Sequence, residues 1–372
     1  MVKLFSLLLC ITALCLSPAL SVDVPASIDV TPTTSSIFTL TNSECDTTTL
    51  DNFLKECVVL HNALLKAYAN YKTDKMYRSM FAVYLGITFD ESASPIVVSS
   101  TSKWTTVENR LANVATFLSK GGLVGARTSD KPNLFCTDSF AVVPEYGWNE
   151  LALDGNGKEM IISYDEDGDP ETGYTVADVY PHIKEMGDNI TPYWVSLLNG
   201  YTFATGAYEK LCDKEKRQGL TSRADAYPKT EAGSPEGFTY ASFNRHMLLC
   251  PKSFQNEAGK GPHSQPTVEG LVTSANYPSA GDTRSMDRFG TLSCTLYHEL
   301  FHIVDSAGTD ADNGLYDAIA IMLAGTKQDD RLVNAPEPYV LFALAAYMYQ
   351  NPPSGATAMW YWPIGGWQEL AS

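Results

Sequence analysis

Basic residues are scarce in this chain: 26 lysines and arginines stand against 43 aspartates and glutamates in 372 residues, a formal charge of −17. Such a surface repels a phosphate backbone or an anionic bilayer, and no basic patch or basic helix offsets it. Nucleic acid and membranes are therefore set aside as partners. Long hydrophobic runs are missing too. Beyond the N-terminal segment no stretch approaches the ~18 consecutive apolar residues of a membrane-spanning helix, so no anchor is expected. No Cys-x-x-Cys pair occurs, which argues against cysteine-ligated zinc, and no internal repeat is evident. Histidine is rare, at six residues. What remains is an acidic chain, 44% hydrophobic, with enough apolar material for a sizeable core.

The N-terminus carries an address. Lys3 precedes an uncharged stretch from Leu4 to Leu16, and Ala19-Leu20-Ser21 supplies small residues where a signal peptidase reads. Residues 1–21 are expected to be a secretory signal, giving a soluble, extracellular protein. Cys10 and Cys15 leave with it. Cys45, Cys57, Cys136, Cys212, Cys250 and Cys294 remain, an even number suited to an oxidising compartment, so three disulfides are expected, with the pairing open. Asn189-Ile190-Thr191 is a glycosylation sequon, followed by Pro192.

Val22 to Glu44 is rich in Ser, Thr and Pro and lacks helical periodicity, which reads as an exposed lead-in (22–44). Helical spacing of apolar residues then predicts helices over Leu50–Tyr71, Lys75–Leu85 and Trp104–Leu118. From about Phe140 to Phe243 short apolar runs such as Met160-Ile161-Ile162 alternate with Gly, Asp and Pro clusters, the texture of hairpins and loops. Asp165-Glu166-Asp167-Gly168-Asp169 resembles the start of a calcium loop. Its sixth position, however, is Pro170 and its twelfth Val176, so an acidic turn is the better reading. Arg245–Pro251 contains a short apolar run suited to a strand beside the site, and helices are expected over Tyr316–Ala324 and Pro338–Gln350, the latter ended by Asn351-Pro352-Pro353.

The chemistry sits in His298-Glu299-Leu300-Phe301-His302. On a helix, residues four apart lie one above the other, so His298 and His302 can offer both imidazoles to one cation, which is zinc-ligand geometry. Glu299 projects beside them, placed to take the proton of a water held at the metal. Leu292, Leu296, Leu300, Ile303 and Val304 give the segment an apolar face, and Ser306-Ala307-Gly308 is a helix stop signal. The third ligand is open. Asp305 and Gly308 occupy the positions where a metzincin needs Gly and a third His, which excludes that class. A thermolysin-like site would draw on Glu337; a turn at Gly308-Thr309 would instead fold a carboxylate of Asp310 or Asp312 back to the metal.

His298-Glu299-x-x-His302 followed by Gly308-Thr309, Asp312 and Tyr316 resembles the deuterolysin family, the aspzincins, which includes the fungal peptidyl-Lys metalloendopeptidases. Looser similarity extends over Cys45, Tyr77–Gly86, Phe135-Cys136 and Leu248-Leu249-Cys250-Pro251. The resemblance implies one zinc ion held by His298, His302 and Asp312, Glu299 as general base, and Tyr316 as hydrogen-bond donor to the oxyanion. Asp312 and Tyr316 are four residues apart where the family has three, which keeps Asp310 as the second candidate ligand. The family's lysine-preferring members carry Asn-Ala-Asp where this chain reads Asn334-Ala335-Pro336-Glu337. Glu337 is thus the substrate-binding candidate, its other role being a carboxylate favoured at a helix start.

The expected protein is α+β: a mainly helical, zincin-like metallopeptidase domain over 45–372, with a small β-sheet and a loop-rich insertion at about 140–243. Its expected function is that of a secreted, monomeric zinc endopeptidase acting on proteins or peptides. The alternative is a secreted binding or structural protein that keeps zinc without turnover.

Overall fold

The computed structural model describes residues 22–40, 44–121, 131–145, 147–187, 189–206, 210–213, 217–222, 237–239, 245–255, 267–304, 315–361 and 367–369. Six longer helices build the body: α1 (Thr47–Asn70), α2 (Lys75–Leu85), α3 (Thr101–Lys120), α4 (Ser293–Val304), α5 (Ala318–Thr326) and α6 (Pro336–Gln350). Their ends follow from local chemistry. Asp46 and Asp74 cap α1 and α2 by accepting from the amides of Thr48 (3.0 Å) and Met76 (2.7 Å). Gly121 ends α3 at φ 71°, a left-handed turn that suits glycine. Helix α6 begins two residues earlier than expected, because Pro336 takes the first-turn position that needs no amide hydrogen.

Helix α6 packs on α1, α2 and α4, and α4 packs on α1, α3 and α6, so α4 and α6 lie at the centre of the main core. Every residue of α4 except His302 is buried. A helix buried on all sides has no solvent-facing stripe to receive its polar residues, so each must find a partner inside the protein.

A four-stranded sheet lies along this body in the order β1 (Thr39–Leu40), β2 (Asn133–Phe135), then His246–Leu249, then Gly219–Thr221. Between β2 and that last pair in sequence run β3 (Ala141–Val142), β4 (Ile161–Tyr164), β5 (Pro170–Gly173), β6 (Ile190–Val195) and β7 (Gly200–Thr205). Gly219–Thr221 is then β8 and His246–Leu249 is β9. β1 and β9 run parallel to β2, whereas β8 is antiparallel to β9 with Thr221 opposite Met247. Among the described residues β8 is an edge strand of this sheet.

The described residues within 140–243 do form hairpins. β3, β6 and β7 form an antiparallel sheet, β4 and β5 an irregular hairpin, and Met160, Val176, Tyr180, Ile190, Tyr201 and Phe203 belong to a core of their own. A further apolar cluster, including Phe135, Phe140, Tyr193 and Leu248, joins this region to the four-stranded sheet. The acidic run is a turn: Asp165 Oδ1 accepts from the amides of Asp167 (3.0 Å) and Asp169 (2.8 Å).

Two expectations change. The lead-in is packed onto the body: Ile28, Ile37 and Phe38 are buried, and Asn62 of α1 bonds both the amide (2.7 Å) and the carbonyl (3.1 Å) of Ile28. Its apolar residues lie in irregular chain and a single helical turn, which is why helical periodicity does not reveal them. Of the three expected disulfides, Cys45–Cys136 and Cys212–Cys250 form, but Cys57 and Cys294 are buried thiols. Cys57 Sγ lies 3.9 Å from the Ser293 carbonyl and Cys294 Sγ accepts from the Thr291 amide at 3.3 Å, so both act as small core residues. Burial pushes both thiols up, Cys294 to about 12.

Candidate metal centre

Helix α4 presents three functional sides. The first faces the helical core, where Tyr297 meets His61 of α1, Phe301 stacks on Tyr339 of α6 at 4.7 Å, and Ser293 donates to Glu56 at 2.6 Å. His61 is fully buried. Its Nε2 lies 3.0 Å from the Leu111 carbonyl, which can only accept, so Nε2 carries the proton and Nδ1 accepts from the Tyr297 hydroxyl at 2.9 Å. Burial lowers the His61 pKa to about 4, the neutral form that this bonding requires.

The second side carries Thr295 and Glu299, one turn apart, toward the edge strand β8. Thr295 Oγ1 donates to Gln218 Oε1 (2.9 Å), and Thr221 Oγ1 donates to Glu299 Oε2 (2.6 Å). Glu299 is 5% exposed.

The third side carries His298 and His302. Their rings lie one above the other with centroids 5.0 Å apart, as the helical spacing predicts. His298 Nδ1 donates to Glu337 Oε2 at 2.9 Å from the first turn of α6. A carboxylate only accepts, so Nδ1 carries the proton of this bond, and a metal would be bound through Nε2. This is the supporting bond that metal-ligating histidines make to a carboxylate. Glu337, the substrate-binding candidate and the alternative third ligand, thus engages the histidine itself.

Tyr316 precedes α5 instead of opening it, and its ring stacks on His298 at 5.9 Å with planes 15° apart while remaining 55% exposed. The chain from Leu315 onward is pinned beside it. Asp317 caps α5 through the Ala320 amide (2.9 Å), and Asp287 accepts from the Ala318 amide (2.9 Å). Burial, aided by the neighbouring Asp317 and Glu337 charges, raises the Asp287 pKa to about 6.

Gly308, Thr309, Asp310 and Asp312 lie outside the described residues. Among the described residues no group of three His, Cys, Asp or Glu side chains that could hold a metal ion forms. The structure brings His302, Tyr316 and Glu337 to His298, while the carboxylate of Glu299, next to His298 in the helix, faces β8. Thr221, Gln218 and His61, which contact this helix from distant parts of the chain, carry no sequence signal. Set against models of known protein families, curated proteins and solved structures, the chain matches none. Among the described residues no helix is long and apolar enough to cross a membrane.

The donor set suits zinc on chemical grounds. Two imidazoles one turn apart, one with its tautomer fixed by a carboxylate, are borderline-soft nitrogen ligands of the kind zinc prefers.

Proposed function

We propose that this protein is a secreted zinc endopeptidase in which His298 and His302 hold the ion together with a carboxylate from the following loop, Asp312 ahead of Asp310. The observation that carries the reading is the cost of α4. A core helix buries His298 and Glu299 side by side, and each has a partner that fixes its orientation instead of an apolar substitute that would pack at lower cost.

Zinc, when bound, supplies Lewis acidity to the water and to the peptide carbonyl. The chain's residues do the rest. Glu299 accepts the water's proton at its carboxylate and delivers it to the departing amine. Glu337 holds the proton on His298 Nδ1, so that Nε2 would be the nitrogen that binds the metal. Tyr316, stacked on His298 and open to solvent, would donate its hydroxyl to the oxygen of the tetrahedral intermediate, the role that the aspzincin resemblance gives it. Among the described residues β8 is an edge strand, and its outer side would offer backbone groups to an extended peptide beside Glu299.

Metal analysis of the purified protein joined to casein digestion tests the proposal. One zinc per chain is expected, with cleavage lost to a chelator and restored by zinc. Zinc without cleavage would favour the binding or structural alternative, and cleavage indifferent to chelation would overturn the metal mechanism.

A further inference from the structure

The polar environment of Glu299 comes from a strand 78 residues earlier in the chain. In β8, residues two apart share a face, so Gly219 and Thr221 both point toward α4, while Leu220 between them packs with the apolar cluster around Phe135 and Leu248. Thr221 Oγ1 donates to Glu299 Oε2 at 2.6 Å. At Gly219 the other side of the same carboxylate fills the space where a side chain would begin: a methyl group there would lie 2.5 Å from Glu299 Oε1, 2.8 Å from Cγ and 2.9 Å from Cδ. All three nearest atoms belong to Glu299, and the strand conformation of Gly219 is one that alanine adopts. The missing side chain therefore serves one neighbour. Gln218, bonded to Thr295 one helical turn before Glu299, keeps strand and helix in register.

We propose that β8 is the positioning element for the general base, with the Thr221 hydroxyl fixing one oxygen of Glu299 and the bare face of Gly219 giving the carboxylate its slot. The inference rests on the reading of Glu299 as general base. Thr221 and Gly219 act through Glu299 and are positioning residues. Two contacts on opposite sides of one carboxylate restrict its rotation, and a displacement of about 1 Å in a reacting group costs on the order of a hundredfold in rate.

Geometry also sets what each substitution does. Thr221→Val keeps the shape and removes the donor; Thr221→Ser restores the donor. Gly219→Ala introduces a methyl group whose three nearest atoms all belong to the Glu299 side chain, so the substitution acts on Glu299 first.

The experiment uses the full zinc-loaded protein and the variants T221V, T221S, G219A and E299Q. It measures kcat and KM on a quenched fluorescent casein peptide, zinc affinity by chelator competition, and calorimetric binding of a phosphinic peptide that mimics the tetrahedral intermediate. Expected for T221V and G219A are a kcat lowered about 10- to 100-fold, KM and zinc affinity within about threefold of wild type, and at least tenfold weaker binding of the mimic. T221S should return kcat to within about threefold of wild type. Wild-type kcat in T221V and G219A beside an inactive E299Q would overturn the positioning role and leave the general base standing. A kcat loss that only follows lost zinc or lost folded protein would overturn it also, as a structural effect. Full activity in E299Q would instead remove the general-base reading on which the inference depends.

Discussion

Removing the Glu337 carboxylate should loosen zinc without unfolding its site. Glu337 Oε2 lies 2.9 Å from His298 Nδ1, and the two side chains are only 21% and 10% exposed, so salt screens the pair weakly. Supporting carboxylates of this kind contribute about 10- to 100-fold to metal affinity, or ~1.4–2.8 kcal/mol. Glu337→Ala should therefore weaken zinc by about 10- to 100-fold. Glu337→Gln keeps an acceptor of the same shape and loses the charge; since neutral hydrogen bonds contribute about half as much as charged ones, a loss of roughly 3- to 10-fold follows. The assay is competition with a chromophoric chelator at fixed pH, repeated at low and high salt, where the ratio to wild type should hold. Unchanged zinc affinity in Glu337→Ala would refute the reasoning. A loss beyond about 10⁴-fold would show that Glu337 is itself a ligand, and Asp312→Ala would then leave zinc bound.

Two further outcomes follow from the core around α4. His61 has its pKa lowered to about 4 in the folded protein against about 6.5 when unfolded, so its neutral form supports folding fully above pH 6.5 and that support is lost as pH falls toward 4. Denaturant unfolding at pH 7 and pH 4 should show wild type losing about 3 kcal/mol more than His61→Gln, whereas equal losses would contradict the buried neutral imidazole. Cys57 and Cys294 should resist a thiol reagent in the native protein and appear as two thiols per chain, counted from Val22, once it is denatured. The absence of thiols after denaturation would mean that a third disulfide closes.

The elements that the sequence reveals are those whose cause is local. Helices α1 to α3 follow from apolar residues three and four apart, and the pairing of His298 with His302 is a property of one helical turn. The hairpins within 140–243 are visible because Gly, Asp and Pro punctuate them. Contacts brought by distant segments are not visible. Thr221 reaches Glu299 across 78 residues and His61 reaches Tyr297 across 236, and neither a threonine in a strand nor a histidine in a helix signals its partner. Glu337 is conspicuous in the sequence, but its partner depends on α6 lying alongside α4. The lead-in is misread because polar composition outweighs Ile28, Ile37 and Phe38, and the thiols because an even count of cysteines carries no information about which pairs meet.

The central claim is that Glu299 performs chemistry beside a zinc ion held by its neighbours. The most direct measurement digests casein with wild type and Glu299→Gln, each shown by metal analysis to hold its zinc. The glutamine keeps the side chain's shape and can still accept from Thr221, but it cannot take a proton from water. One zinc per chain in both proteins, with cleavage abolished in the variant, is the predicted result. Cleavage by the zinc-loaded variant at the wild-type rate would contradict the account.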